Sequence, residues 1–585
     1  MNNQLQDKFT IGYRKLKNID ISSLEETYVL TENDTLYEYN PFKIERIQQY
    51  NPIYETLFTL STKNYNNIQL NHKYHFVDHK TVVDNNNKKI DKDIFIKYSP
   101  VIDPLRYMVG KYETQKDIIH NLPYPTDISC DISHTLLPKV KDFNNCSYVD
   151  TFFCYLSSMI LHHHNVCNCI DYFGSFLGIQ EKFKYNVSDD IDYFKESDFF
   201  NENIDTLYTL ENVDTLDDYS DCSRKKRSKL HISKSNHNIS AVSLSNFITD
   251  IPVNNNENLD DCLIYDCQFN VENTDNNNDI EDNQITINDD SSSDDSSVAY
   301  TTDSDTPISW ETDSDSNDDN SISDTDNDSE CNLIEEEQHA YINNFPVQMI
   351  SLEKCDGTLD QLFTNGTINS TKAASALFQV IMTLLIYQKL FHFTHNDLHT
   401  NNIMYIDTDI EFLYYKFNDK TYKVPTYGKI YKIIDFGRSI YRFNGKVYCS
   451  DSFGPDGDAN SQYNCEPFFN DKKSRLEPNM SFDLCRLGCS IYDFIIPDHL
   501  PYSEYDELQK TVYRWCLDDN KKNILYKKNG EERYPEFKLY KMIARTVHHH
   551  TPDKQFEFSY FNQFVYNSTD AVENLIDIDK LPIYA

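Results

Sequence analysis

The sequence predicts an α+β chain, with two globular parts rich in apolar and aromatic residues separated by a long acidic insert. Three observations carry this reading. Residues 1–187 mix strand-like runs, YHFV and IFIKY, with one helix-like run, VDTFFCYLSSMILHHH from Val149 to His164. Between 188 and 344 the apolar periodicity fades. Tracts such as NDDSSSDDSS and ETDSDSNDDNSISDTDNDSE bury too little surface to offset ordering entropy, so a disordered insert is expected, at least from Asn254 onward. From 345 to 585 periodic apolar segments return: the strand PVQMISLE, a turn CDGT, and a long helix from Ser370 to Phe393.

Bulk properties narrow the function. The chain has 585 residues, 39% of them hydrophobic and 14% aromatic, which is enough for a sizeable core. A formal net charge of −40 disfavours nucleic-acid partners, because phosphate backbones are held by Lys and Arg. The fifteen cysteines form no repeated Cys-x-x-Cys framework, and MNNQLQDKF lacks a signal-peptide core. Reduced, intracellular thiols are expected, with the cytoplasm favoured over the nucleus. The most apolar window, Ala376 to Phe391, is sixteen residues long and interrupted by Gln379, Gln388 and Lys389, so it reads as a core helix rather than a membrane span. No membrane partner is expected. The basic cluster Arg224 to Lys229 reads as a solvated charge run or a nuclear-import signal, and the Ser-Asp tracts as a spacer or acidophilic phosphorylation sites. Richness in Asn, Asp, Ile and Tyr fits an AT-rich genome such as that of a large DNA virus or of certain protists.

One stretch asks for chemistry. His395-Asn-Asp-Leu-His-Thr-Asn-Asn402 places an acid, amides and two imidazoles in eight residues, directly before an apolar run. Asn402 lies five residues beyond Asp397, and YKIIDFGRS follows, an apolar strand ending at Asp435-Phe436-Gly437. Singly, Asp397 and Asn402 read as turn caps. Phosphoryl transfer gathers negative charge on γ-phosphate oxygens, which calls for divalent metal on hard oxygen ligands and an acceptor beside the attacking hydroxyl. Asp435, Asn402 and Asp397 have the right chemistry for those tasks.

The pattern resembles the protein kinase superfamily, with its His-Arg-Asp-Leu-x-x-x-Asn loop followed by Asp-Phe-Gly. The resemblance implies a two-lobed fold, with a small mainly antiparallel β lobe and a larger mainly α lobe. Residues 1–187 would hold an N-terminal extension and the small lobe, 188–344 the insert, and 345–585 the hinge and large lobe. It implies ATP and Mg²⁺ as cofactors, Asp397 toward the acceptor hydroxyl, and Asn402 and Asp435 on the metal. Lys97, ending Asp93-Ile-Phe-Ile, resembles the strand lysine that pairs the α- and β-phosphates; the alternative is a solvated strand end. Val347 to Leu359 resembles the strand and hinge, which would turn backbone groups of Glu353 and Cys355 toward adenine; Glu353 also reads as a surface residue. Ser481 to Tyr492 resembles the central large-lobe helix, with Asp483 supporting the catalytic loop and Cys485 and Arg486 standing for the usual Trp and Ser.

His399 occupies the place of a lysine that contacts the transferred phosphate. An imidazole titrates near ~6.5, so its charge is conditional, and it serves either as a cation in the transition state or as a neutral loop hydrogen bond. Other departures are Asn396 for Arg, no Gly-x-Gly-x-x-Gly loop before Lys97, and no glycine between Ile68 and Val83. The acidic partner of Lys97 stays unassigned: Glu113 has the spacing, while the helix from Val149 carries only Asp150. Glu466-Pro467 and Thr551 to Gln555 only loosely resemble the segments that form a Glu–Arg brace. His162, His163, His164, Cys167 and Cys169 are metal-friendly types, but consecutive helical residues point apart, which argues against zinc. The function implied is a Ser/Thr protein kinase acting on a protein substrate. The alternatives are a pseudokinase scaffold and a kinase-like phosphotransferase for a small molecule, the latter because His also follows the loop Asp in such enzymes.

Overall fold

A computed structural model describes residues 6–15, 21–61, 63–125, 136–211, 337–497, 500–568 and 572–585. All of them belong to one compact unit, 1–267 with 337–585; a second, 268–336, lies outside the described residues. The described part is a mixed α+β structure with several sheets.

The elements that build the site begin, in chain order, with β1 (Ile44–Gln48), β2 (Ile94–Pro100), α1 (Cys146–His164), β3 (Tyr172–Asn186), β4 (Tyr208–Leu210) and β5 (His339–Glu353). The strands pair antiparallel in the order β1-β3-β5-β2, with β4 joining the start of β5. The register sets Ile350 opposite Lys97 and Glu353 opposite Ile94, so β2 forms the outer edge of this sheet. Helix α1 is apolar on nearly every face, as expected of a helix enclosed by its own protein. Asn145 caps its start by accepting from Ser147 N–H, and Asn165, with φ 55°, ends it in the left-handed conformation that Asn tolerates.

After β5 come α2 (Leu359–Thr364), α3 (Ser370–Phe391), β6 (Ile403–Asp407), β7 (Lys429–Ile433), α4 (Phe482–Ile495), α5 (Glu507–Trp515) and α6 (Phe537–Thr546). At 22 residues α3 is long enough to cross a bilayer, yet 89% of its most apolar window is buried inside the protein. Between β6 and β7 the hairpin of Phe412–Phe417 and Lys420–Pro425 accepts Leu575–Asp577 as a parallel third strand. Gly488 lets α4 approach α5 closely, because a Cβ there would lie 2.9 Å from the Trp515 Cβ.

Ordered structure reaches further into the expected insert than composition suggested. Within 188–211 lie two short helices and β4, and β5 begins at His339 rather than after Asn344. The apolar content there is sparse but concentrated. Phe194 stacks on Phe200 at 4.8 Å and Phe200 on Tyr208 at 5.1 Å, while Ala340 and Ile342 are fully buried. Glu211 N–H donates to His339 C=O at 2.8 Å, so the chain leaves and returns at one point. The expectations for the basic cluster 224–229 and for the Ser-Asp tracts lie outside the described residues.

Candidate functional site

Lys97 is 5% exposed near the middle of β2, and its Nζ donates to Asp150 Oδ2 at 2.7 Å and to Asp435 Oδ1 at 2.9 Å. Burial alone would lower its pKa, but the two carboxylates outweigh it and hold the ammonium well above its usual value. The partner the sequence left open is thus Asp150, one turn into α1. Glu113 instead forms an exposed ion pair with Lys116. The second Asp150 oxygen, Oδ1, accepts from Phe436 N–H at 2.9 Å, and the Phe436 ring packs on Phe153 of α1 at 4.6 Å. One carboxylate therefore joins strand, helix and the Asp435-Phe436-Gly437 turn.

An acid in the loop beyond β7 sets where α1 begins. Asp451 Oδ1 accepts from Cys146 N–H at 2.9 Å, and its Oδ2 receives Lys139 Nζ at 2.5 Å. A carboxylate at a helix N-terminus satisfies an otherwise orphaned amide and complements the helix dipole.

The loop His395–Asn402 is held from below by Asp483, on the first turn of α4, whose carboxylate accepts from His395 N–H and Asn396 N–H, each at 2.9 Å. His395 Nε2 meets Ile434 C=O at 2.9 Å, tying the loop to the residue before Asp435. Asn396 has φ 63°, a left-handed position that Asn adopts more readily than most residues. Its Nδ2 donates to Arg438 C=O at 3.0 Å and its Oδ1 accepts from Tyr463 OH at 2.8 Å. Where an arginine would read a phosphate, the amide contacts the 438–463 segment directly.

Asn402 sits just before β6, and β6 pairs with β7 so that Ile403 faces Ile433. Ile434 N–H donates to Asn402 C=O at 3.0 Å, which makes Asn402 and Asp435 neighbours in space. Asn402 Nδ2 donates to Asp397 C=O at 2.9 Å and to His399 Nε2 at 3.2 Å. Because a carbonyl only accepts, the amide nitrogen is fixed inward, and Oδ1 is the atom left for a cation.

Asp397 is 2% exposed, and Tyr540 OH donates to its Oδ1 at 2.6 Å. His399 is 7% exposed. Burial pushes its pKa down to about 4, and Nε2 must keep a lone pair to receive the Asn402 amide. The neutral-hydrogen-bond alternative is the one the geometry favours.

At the end of β5, Glu353 is neither a free strand end nor wholly available to a ligand. Its N–H donates to Asp171 C=O at 3.0 Å, and its Oε1 accepts from Asp171 N–H at 2.7 Å and from buried Lys432 at 2.5 Å. Asp171 in turn receives His162, Ser158 and Lys92. Cys355, two residues on, is half-buried, and burial pushes its thiol up to about 12. The two segments that loosely resemble the brace find separate partners: Glu466 meets Arg475 at 3.1 Å, and Gln555 accepts from Trp515 Nε1 at 2.8 Å. Of the histidines near α1, His162 serves Asp171 and His164 meets Tyr584 OH at 2.8 Å.

The residues that sequence reasoning did not place are Asp150, Asp451 and Tyr540. Asp150 left a signal as the only acid on its helix. Asp451 and Tyr540 left none, since each is an ordinary residue far along the chain from what it touches.

No family model matches the chain. Part of it is similar to serine/threonine-protein kinase haspin of Mus musculus, 30% identical over 132 residues, which is 22% of this chain and 16% of that protein. The haspin of Bos taurus is 30% identical over 122 residues, 21% of this chain and 15% of that protein. The matched stretch thus spans about a sixth of the length of these curated relatives. Together they support a distant kinase-like relationship.

Proposed function

We propose that the chain is an ATP-dependent protein kinase that transfers the γ-phosphate to Ser or Thr hydroxyls of a protein substrate, on a two-lobed kinase-like fold. The observation that carries this is the convergence of Lys97, Asp150 and Asp435 beside the loop bearing Asp397 and Asn402. These residues fit MgATP. Asp435 and Asn402 offer neighbouring hard oxygens, and Mg²⁺ commonly completes such a pair with nucleotide phosphates and water. When bound, the metal neutralises charge developing on the phosphate oxygens. Lys97 is held protonated to meet the phosphates, Asp397 orients the acceptor hydroxyl and takes its proton, and Asn402 fixes the loop while facing the metal. Leu352 to Cys355 would border adenine, through the Glu353 carbonyl and Cys355, because the Glu353 amide is engaged. Site and substrate would sit in the cytoplasm.

A second reading, a pseudokinase scaffold, draws on one feature: no Gly-x-Gly-x-x-Gly loop precedes Lys97, and the antiparallel strands within 74–91 that lead to β2 contain no glycine. The test is transfer of labelled phosphate from ATP to generic basic and acidic proteins and to the chain itself, wild type beside Asp435→Asn. Mg²⁺-dependent transfer lost in Asp435→Asn is expected. Nucleotide binding without transfer would favour the scaffold.

A further inference from the structure

One departure in the sequence reaches the loop acid Asp397 from a distant helix. Arg486 stands on α4 in place of a small polar residue and is 1% exposed, an unusual depth for a guanidinium. Its Nε donates to Tyr540 OH at 2.9 Å, and Tyr540 OH donates onward to Asp397 Oδ1 at 2.6 Å. Tyr540, from α6, is itself 6% exposed. Its ring has the Arg486 guanidinium 5.2 Å from its centroid and that of Arg438 at 5.9 Å, a cation–π arrangement that fixes the phenol's direction.

We propose that Arg486 and Tyr540 form a two-link positioning device for Asp397: the buried guanidinium polarises the phenol, and the phenol's bond to Oδ1 fixes the direction of the carboxylate toward the acceptor hydroxyl. This rests on the phosphotransferase reading above. The residues are positioning groups rather than catalytic ones, since they act through Asp397 and the phenol proton is not consumed. A charge-assisted chain of this kind is stronger than a neutral one, because each donor sharpens the next in a low-dielectric interior. It also puts positive charge near Asp397 without exposing it. Burial keeps the phenol protonated, so it remains a donor at working pH.

The test is steady-state kinetics of the full chain, with MgATP as varied substrate and phosphate incorporation as readout, for wild type, Tyr540→Phe, Arg486→Met and the double variant. Tyr540→Phe keeps the ring and should fold. Its kcat is expected to fall about tenfold, the loss of one hydrogen bond to a charged group, with KM for ATP and thermal stabilisation by MgADP unchanged. Once Tyr540→Phe has removed the phenol, adding Arg486→Met should cost little further rate. An unchanged or raised kcat in Tyr540→Phe would mean that the phenol merely packs or occludes, and overturns the proposal. A parallel rise in KM for ATP overturns it too, since that is the mark of a general structural effect. If Arg486→Met costs the same with and without Tyr540, the arginine does not act through the phenol. An active wild type with any of these results sinks only this inference; a wild type that binds MgATP and transfers no phosphate sinks the kinase reading with it.

Discussion

Lys97 Nζ and Asp150 Oδ2 lie 2.7 Å apart, joining residues 53 positions apart in the chain. Aspartate is one methylene shorter than glutamate, so α1 must sit correspondingly close to β2 for this contact to form. The same carboxylate holds Phe436 N–H, which makes the helix position and the Asp435 turn a single arrangement.

Asp150→Ala should therefore lower phosphate transfer by about 10²-fold, the scale of a misplacement of roughly 1 Å at a reacting centre. Asp150→Glu should lose less, because the charge survives and only the spacing is wrong. Initial rates with circular dichroism as a fold check decide this. A rate unchanged by Asp150→Ala would remove the pair from the mechanism.

His399 has its pKa lowered to about 4 by burial, so the ring is neutral throughout the working range. Transfer should show no His399-linked change between about pH 6 and 9. His399→Gln, which can still accept from the Asn402 amide, should keep the shape of the wild-type profile. His399→Lys forces an ammonium into a buried loop and should destabilise it. A fall in wild-type rate across that range that disappears in His399→Gln would show the imidazolium to be the working form.

Asp171 gives an acid-stability prediction. Burial would raise its pKa, but the hydrogen bond and charge of His162, then Lys92 and Ser158, hold it down at about 2. A carboxyl depressed in the folded state stabilises fully above its unfolded pKa of ~3.9 and loses that contribution as pH falls toward the folded value. The stake is about 2 kcal/mol between roughly pH 4 and pH 2. Urea unfolding of wild type and Asp171→Asn should show a stability gap that closes over this interval. A gap independent of pH would mean that the contacts, not the ionisation, matter.

Deleting 254–335 should leave a folded, active protein. The Glu211 N–H to His339 C=O contact closes the base of the loop on either side of the cut. Closure entropy varies only with the logarithm of loop length, so the shorter loop should change stability by about 1 kcal/mol at most. A thermal melt and a transfer assay check this. Loss of either would show that the removed residues pack against the site.

How much of this was legible before folding depends on how local the chemistry is. The stretch His395 to Asn402 and the turn Asp435-Phe436-Gly437 announce themselves because a loop that must orient an acid and an amide compresses them into a few consecutive residues. Helices α1 and α3 and strand β2 were legible because a buried element is apolar along most of its length. Composition marked 188–344 as a largely disordered insert; within its ends regular structure occurs at 188–211 and from His339, and Phe194, Phe200 and Tyr208 stack there in a stretch without periodicity. Periodicity reports which face is buried and says nothing about what lies across from it. Tertiary structure alone chose Asp150 over Glu113 for Lys97, and set Tyr540 on Asp397 across 143 positions. Asn396 could be read as a missing arginine, whereas its left-handed backbone and its contacts to Arg438 and Tyr463 appear only in the folded chain. The charge of His399 was open for the same reason: an imidazole's protonation is decided by its surroundings, and here burial, which no local pattern encodes, lowers its pKa and disfavours the cation.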